Sequence, residues 1–273
     1  DESVNVTYDS VELPSIAVPT KIGYTFNGYY SEESGGGTKY YDEDGIGVHR
    51  WDIDSDTGVV LYAHWTAKTT NITLDKDGGI GGCGSASVSY GSSMSHITLP
   101  TKSGYTFNGY YDSEGVKYYS STGASVRVWD KDVATATLYA RWTVNQSTVT
   151  LDGNGATTPG KTNIIATYDS DMPTLASNEL PKRTGYVFEG YYTQAEGGTQ
   201  YYNADGTSTT TWKLTGEQVL YAHWTQGSIE LNNTLLSFDL ADTNKTIVAT
   251  TTPESFESEV TWTVTLGPTV TIS

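Results

Sequence analysis

The sequence predicts a β-rich α+β protein, built of three tandem modules and a short all-β segment at the C-terminus. An eight-residue string recurs at residues 23–30, 104–111 and 185–192, and such a repeat is interpreted before any single residue. The 21 Tyr residues and the abundant Thr favour pleated sheets, while the 29 Gly residues mark turns. Each module also has a short segment ending in Pro, with room for one or two helical turns.

Two shared strings define the modules. The first reads Gly-Tyr-Thr-Phe-Asn-Gly-Tyr-Tyr twice and then Gly-Tyr-Val-Phe-Glu-Gly-Tyr-Tyr, and the second, Leu-Tyr-Ala-x-Trp, begins at Leu61, Leu138 and Leu220. A feature present in all copies is expected to make the module fold, whereas a catalytic site is expected in one copy only. The predicted boundaries are residues 1–66 for module 1, 67–144 for module 2, 145–226 for module 3 and 227–273 for the C-terminal segment.

Composition excludes several classes of partner. The net charge of −17 argues against nucleic acid and against an anionic membrane surface, because both require Lys and Arg contacts. No apolar run approaches the ~20 residues of a membrane helix, so no membrane insertion is predicted. The single cysteine, Cys83, cannot form a disulfide within the chain. Because the sequence begins with Asp1, a piece of a longer protein is expected.

Modules 2 and 3 are predicted to open with an alternating strand at residues 72–75 and 149–152, followed by a Gly-rich turn. Module 1 has no such opening. It starts at the next predicted strand, residues 4–8, which aligns with residues 86–90 and 164–168. Either the sequence was cut there or a neighbour supplies the strand.

The helical turns are predicted before the first shared string, in segments ending at Pro19, Pro100 and Pro181. Within that string, period-two alternation places Phe26 and Gly28 on the core face. Tyr29 is therefore predicted on the opposite face. A strand Gly often marks a bulge or a close approach, and Gly28 and its counterparts are expected to admit a neighbouring aromatic ring.

The closing strand alternates again, with Leu61, Ala63 and Trp65 predicted to face the core and Tyr62 and His64 the other side. Further aromatic residues recur between the two strings. They are the Tyr pairs at 40–41, 118–119 and 201–202, and the single tryptophans Trp51, Trp129 and Trp212.

The C-terminal segment is predicted to contain strands at residues 229–231, 235–238, 246–250 and 260–264, the last with a core Trp. It is too short for a full sandwich of ~100 residues. It is interpreted as the start of an Ig-like domain or as a compact cap.

The two shared strings resemble the Listeria–Bacteroides repeat, also called the internalin B-repeat, with Tyr29, Tyr110 and Tyr191 where the family usually has Trp. The C-terminal segment is similar to a bacterial Ig-like domain of the BIG2 type. The first resemblance implies β-grasp-like modules, each a curved sheet over one short helix. It also implies a secreted or wall-attached bacterial surface protein, where such repeats act in stalks and adhesion, and it carries no catalytic residues.

Exposed tyrosines are the candidate binding residues, because flat aromatic rings stack on sugars or anchor protein partners. The alternatives are cross-strand pairing that only strengthens the sheet, or coverage by a helix or the next module. The six candidates on the face opposite the predicted core are Tyr29, Tyr110, Tyr191, Tyr62, Tyr139 and Tyr221.

No cofactor, metal or catalytic site is predicted. The four His residues show no metal-ligand spacing, and the acidic cluster at residues 42–45 lacks the 12-residue ligand pattern with a closing Glu that defines a calcium loop. No Gly-x-Ser-x-Gly nucleophile motif occurs.

The first hypothesis is therefore a non-catalytic, extracellular repeat segment of a bacterial surface protein that acts as a spacer, with adhesion as a further role. The second is a carbohydrate- or glycoprotein-binding module that uses the Tyr face, with a host or environmental glycan or an extracellular protein as partner. The third is an accessory region of a secreted polysaccharide-degrading enzyme. The sequence leaves the ligand and the oligomeric state open.

Overall fold

The computed structural model describes residues 3–231 and 249–252, and it divides the chain into two compact units, residues 1–143 and 144–273. Modules 1 and 2 lie in the first unit. Module 3 and the C-terminal segment lie in the second. Strands dominate the described residues, as the aromatic and β-branched composition predicts.

Module 2 is a five-stranded sheet in the order β5-β4-β8-β6-β7. The opening strand β4 runs parallel to the closing strand β8 and antiparallel to β5, and β7 is antiparallel to β6. The strands are β4 (Thr69–Asp75), β5 (Ser85–Ser89), β6 (Tyr105–Tyr111), β7 (Lys117–Tyr119) and β8 (Thr135–Val144).

Module 3 repeats this topology in the order β10-β9-β13-β11-β12. Its opening strand β9 again pairs in parallel with the closing strand β13. The strands are β9 (Gln146–Asp152), β10 (Asn163–Thr167), β11 (Tyr186–Tyr192), β12 (Gln200–Asn203) and β13 (Gln218–Gln226).

From residue 3 onward, module 1 has three strands, β1 (Tyr24–Tyr30), β2 (Lys39–Tyr41) and β3 (Tyr62–Ala67), in the order β2-β1-β3. The predicted strand at residues 4–8 does not form. Its counterparts β5 and β10 pair only with the opening strands β4 and β9, and module 1 has no opening strand to supply those hydrogen bonds.

The prediction of one short helix in each module is wrong for the residues that the structure describes. Only the Pro-ended segment of module 3 contains a helical turn, the single 3₁₀ turn Ser177–Glu179. A second 3₁₀ turn, Glu33–Gly35, lies elsewhere in module 1. Pro at the end of each short segment leaves too few residues for the costly first turn of an α-helix to propagate.

A β-bulge in the first shared string overturns the predicted faces of Tyr29, Tyr110 and Tyr191. In β1, Phe26 pairs with Trp65 and Gly28 with His64, so one extra residue sits in β1 between the two pairs. The same shift occurs in module 3 between Phe188 and Gly190. An extra residue restarts the alternation, so the first Tyr after the Gly returns to the core face.

Burial agrees with this reassignment. Tyr110 and Tyr191 are 0% exposed, and each packs edge-on against the Phe three residues earlier, at ring-centroid distances of 5.3 Å and 5.2 Å. Tyr29 makes the same contact with Phe26, but it remains half-buried because module 1 lacks part of its core. The bulge Gly meets the carbonyl of Tyr41, Tyr119 or Tyr202, a close backbone approach rather than the expected aromatic ring.

The core clusters of modules 2 and 3 each contain twelve buried residues, whereas that of module 1 contains three, Tyr40, Tyr41 and Trp51, with Phe26 buried outside it. The closing-strand prediction is confirmed in modules 2 and 3. Their Leu and Ala side chains are buried, and the Trp packs half-buried against the core. Among the tryptophans that the structure describes, Trp129 and Trp212 are fully buried, both 0% exposed.

In the C-terminal segment, β14 (Ser228–Leu231) pairs antiparallel with β15 (Ala249–Thr252). Both overlap predicted strands. The predicted strands at residues 235–238 and 260–264, with Trp262, lie outside the described residues, and so does the Ig-like interpretation that depends on them.

Candidate binding surface and module junction

The face opposite each core carries the second Tyr of the shared string. Tyr30 lies directly across from Tyr62, and Tyr192 lies across from Tyr221. We call this surface the outer aromatic face. It comprises Tyr30, Tyr62 and His64 in module 1, Tyr111, Tyr139 and Arg141 in module 2, and Tyr192, Tyr221 and His223 in module 3.

Three of the six candidates, Tyr62, Tyr139 and Tyr221, lie on the predicted face, and Tyr139 is 42% exposed. The other three belong to the core side. Sequence reasoning missed Tyr30, Tyr111 and Tyr192. The signal that identifies them is the Gly inside the strand, because a bulge at that Gly shifts the alternation by one residue.

Side chains of the same module lie over the rings of Tyr111 and Tyr192 on this surface. Tyr192 stacks on His223 at 3.9 Å between centroids. The guanidinium of Arg141 lies 4.8 Å from the ring centroid of Tyr111, and the ammonium of Lys117 lies 5.5 Å from it. These contacts stabilise the sheet as cross-strand and cation–π pairs do. Tyr139 is the most exposed ring of the six candidates.

Two core tyrosines, Tyr110 and Tyr191, have a raised pKa. Burial raises the pKa of Tyr110 to about 12, with the nearby carboxylate of Asp75 adding to the shift. Burial also raises the pKa of Tyr191 to about 12, again with a carboxylate, that of Asp152, nearby. Both phenols, like any Tyr, are neutral at physiological pH, and the raised pKa keeps them neutral to a higher pH than an exposed Tyr.

A second functional feature is the junction between modules 1 and 2. Only Lys68 separates β3 from β4. Its amide donates to the carbonyl of Gly23 in module 1 at 2.9 Å, and its carbonyl accepts from the amide of Tyr90 in module 2 at 2.8 Å. The linking residue is therefore held by both modules.

Asp132 of module 2 reinforces this junction. It accepts hydrogen bonds from the ammonium of Lys68 at 2.9 Å and from the amide of Gly23 at 3.1 Å. These bonds lower the pKa of Asp132, and the hydrogen bond from Lys68 is the largest cause. The ring of Tyr24 packs edge-on against Tyr90 at 5.7 Å, next to Gly23, where any Cβ would lie 2.1 Å from the Tyr90 ring.

Metal and membrane features are not found in the part of the chain that the structure describes. Within residues 3–231 and 249–252, no three His, Cys, Asp or Glu side chains converge as a metal site. No helix in those ranges has the length and apolar character to cross a bilayer.

The fold and its surfaces define a tandem repeat of small, aromatic-cored β modules. The sequence matches the Listeria-Bacteroides repeat domain at residues 2–64, 71–141 and 148–223, and the chain belongs to that family. The three matches fall one in each module.

Similar proteins are larger and come from bacteria. The chain is 28% identical to a "Putative membrane protein" of Evansella cellulosilytica over 80% of this chain and 30% of the relative. It is 27% identical to a "Putative Gly-rich membrane protein" of the same organism over 86% of this chain and 24% of the relative. It is 33% identical to Internalin H of Listeria monocytogenes over 56% of this chain and 27% of the relative. The chain therefore spans less than a third of each of these relatives.

Proposed function

We propose that the chain is a non-catalytic, extracellular repeat segment of a bacterial surface protein and that it acts as a spacer. The observation that carries the proposal is the junction between modules 1 and 2. A one-residue link that is hydrogen-bonded on both sides limits hinge motion, whereas flexible linkers are longer and rich in Gly and Ser. Family membership and the similarity to an internalin support the surface location.

Modules 2 and 3 suit this role. Twelve buried residues in each of modules 2 and 3 give a module its own core, so the modules add length without depending on a ligand. The negative charge keeps such a segment soluble and repels other copies.

Loss of the Asp132 carboxylate is expected to loosen the junction without unfolding either module. Asp132→Ala removes the exposed ion pair with Lys68 and the partly buried hydrogen bond from the Gly23 amide, and neither contact belongs to the core of a module. The measurement is the distance distribution between spin labels at Asp44→Cys in module 1 and Ser113→Cys in module 2, in a Cys83→Ser background. The distribution is expected to be narrow in the parent and broader in Asp132→Ala.

The control is Asp56→Ala, which removes the same charge from an exposed position away from the junction. It is expected to leave the distribution narrow. A distribution that is already broad in the parent contradicts a fixed junction and, with it, the spacer role.

A second candidate function is the binding of a glycan or glycoprotein on the outer aromatic face, because the Tyr139 ring remains open to solvent. The test is a screen of the full chain against arrayed glycans and matrix proteins, with Tyr139→Ala beside it. Selective binding that is lost in Tyr139→Ala supports this role, and binding that survives the substitution places the site elsewhere.

A further inference from the structure

Module 1 has an open sheet edge that modules 2 and 3 lack. In those modules the closing strands β8 and β13 have the opening strands β4 and β9 as parallel neighbours. The equivalent strand of module 1, β3, lies at the edge of its sheet with β1 as its one partner among the described strands. An unpaired edge presents a row of N–H and C=O groups that can pair with another strand.

The apolar surface of module 1 is also incompletely covered. Nine of the seventeen exposed large apolar side chains in the described residues belong to module 1, although it is one of three modules. They include Ile22, 75% exposed, and Val60, 64% exposed. Two of the nine, Val18 and Ile22, line one groove, and exposed apolar surface that is gathered in a groove marks an interaction site.

The Gly-rich turn after the opening strand covers the closing-strand Trp in the other two modules. The indole of Trp142 donates to the carbonyl of Lys76 at 3.1 Å, and a Cβ on Gly79 would lie 2.7 Å from that indole ring. In module 3 the indole of Trp224 donates to the carbonyl of Gly153 at 3.1 Å.

In module 1 the same place is an open groove of about 520 Å³ beside Trp65. Its walls include apolar residues of the Pro-ended segment and of β1, together with four charged residues, Lys21, Glu43, Lys68 and Asp132. The lining includes Val18, Pro19, Ile22, Phe26, Lys68 and Asp132.

The positive charge of Lys21 indicates which kind of segment the groove can bind. In module 2 the ammonium of Lys102 donates to the carbonyl of Asp77 in the Gly-rich turn at 2.8 Å and lies 3.9 Å from its carboxylate. Lys102 sits 5.8 Å from the Trp142 ring, and Lys21 sits at the same distance from the Trp65 ring. The two carboxylates of the groove wall, Glu43 and Asp132, already form ion pairs with Lys39 and Lys68. Within the described residues, no carboxylate forms an ion pair with Lys21, so the position of Lys21 is complementary to an acidic turn.

We propose that the free edge of β3 and the groove beside Trp65 form a docking site for one further β-strand. The occupant is a polypeptide segment with the sequence pattern of the opening strands β4 and β9, and it runs parallel to β3. It is none of the strands β1–β15 described above. It presents apolar residues at alternate positions, as Ile72 and Leu74 do, and ends in an Asp followed by a Gly-rich turn. Main-chain hydrogen bonds provide affinity in such strand addition, and the alternate side chains provide specificity.

The test adds a synthetic peptide with the sequence of residues 69–84 to the full chain. Hydrogen exchange of the β3 amides is expected to slow by about tenfold or more at saturating peptide, because paired amides exchange only on opening. Exchange in β8 and β13 is expected to remain unchanged, since their edges are already paired. The indole N–H resonance of Trp65 is expected to shift while those of Trp142 and Trp224 do not.

Two controls separate docking from general edge adhesion. A peptide with Leu74→Lys is expected to give no protection, because its charge falls at a core-facing position. In the chain, Lys21→Glu is expected to weaken peptide binding about five- to tenfold. The matched reversal Lys117→Glu, on β7 of module 2 and absent from the groove lining, is expected to leave binding unchanged.

Three outcomes overturn the proposal. In the first, the β3 amides gain no protection even at high peptide concentration. In the second, the Leu74→Lys peptide protects them equally well. In the third, only module 2 gains protection, because the peptide replaces its own β4. None of them bears on the junction of modules 1 and 2, which the spin-label distances test separately.

Discussion

Replacement of Tyr110 by alanine is expected to destabilise module 2 by roughly 3–5 kcal/mol, as truncation of a core aromatic does. Tyr110 is 0% exposed and packs against Phe107 and Tyr119. The adjacent Tyr111 lies on the outer aromatic face, so Tyr111→Ala is expected to cost about 1 kcal/mol or less. Hydrogen exchange resolved to peptides of β4–β8 measures module 2 separately from the other modules.

Tyr110→Phe is the matched control. The Tyr110 hydroxyl is buried, and among the described residues it has no hydrogen-bond partner. Its removal is expected to leave stability unchanged or slightly higher, because an unsatisfied buried hydroxyl carries a desolvation cost. If Tyr110→Ala and Tyr111→Ala have equal effects, Tyr110 does not belong to the core.

The second large effect is expected for Gly109→Ala at the bulge of module 2. A Cβ at this position would lie 2.2 Å from the carbonyl oxygen of Tyr119, and the backbone φ of +127° is one that side chains rarely adopt. Because the obstructing atom belongs to the backbone of β7, relief requires the strands to separate. The expected loss is roughly 2–4 kcal/mol in the free energy of unfolding of module 2.

Gly81→Ala separates the cost of the steric clash from the cost of the unfavourable backbone φ. Gly81 also has a positive φ, +68°, but a Cβ there meets no atom within 4 Å. Its substitution is expected to cost only the backbone term of about 1 kcal/mol. Equal losses for Gly109→Ala and Gly81→Ala contradict the close approach of β6 to the Tyr119 carbonyl.

Much of the module could be predicted because its strands alternate regularly. The closing strand Leu-Tyr-Ala-x-Trp contains no Gly, and its period of two predicts correctly which side chains of modules 2 and 3 face the core. The opening strands β4 and β9, and their absence from module 1, follow from the same pattern.

Two features could not be predicted from local pattern. The strand Gly indicates a bulge, but the pairing of Phe26 with Trp65 and of Gly28 with His64 shows where the extra residue sits and which Tyr turns inward. Residues 4–8 have strand character, yet a strand requires a partner, and β-propensity does not show that the partner is missing. Both errors concern contacts between segments far apart in sequence.

The bulge changes which of the candidate binding residues can contact a ligand. Tyr110 and Tyr191 share the sequence context of exposed tyrosines and are core residues, so their substitution tests folding rather than ligand binding. Any test of the outer aromatic face belongs at Tyr111, Tyr139 and their counterparts.

The central claim is that the bulge places adjacent tyrosines on opposite faces of each sheet. Mild nitration of the native full chain, followed by peptide mass spectrometry, tests it most directly, because ring modification requires solvent access. The account predicts that Tyr111 and Tyr139 are nitrated while Tyr110 and Tyr191 remain unmodified until the protein is denatured. Nitration of Tyr110 at the same rate as Tyr111 in the folded protein contradicts the bulge and the face assignment built on it.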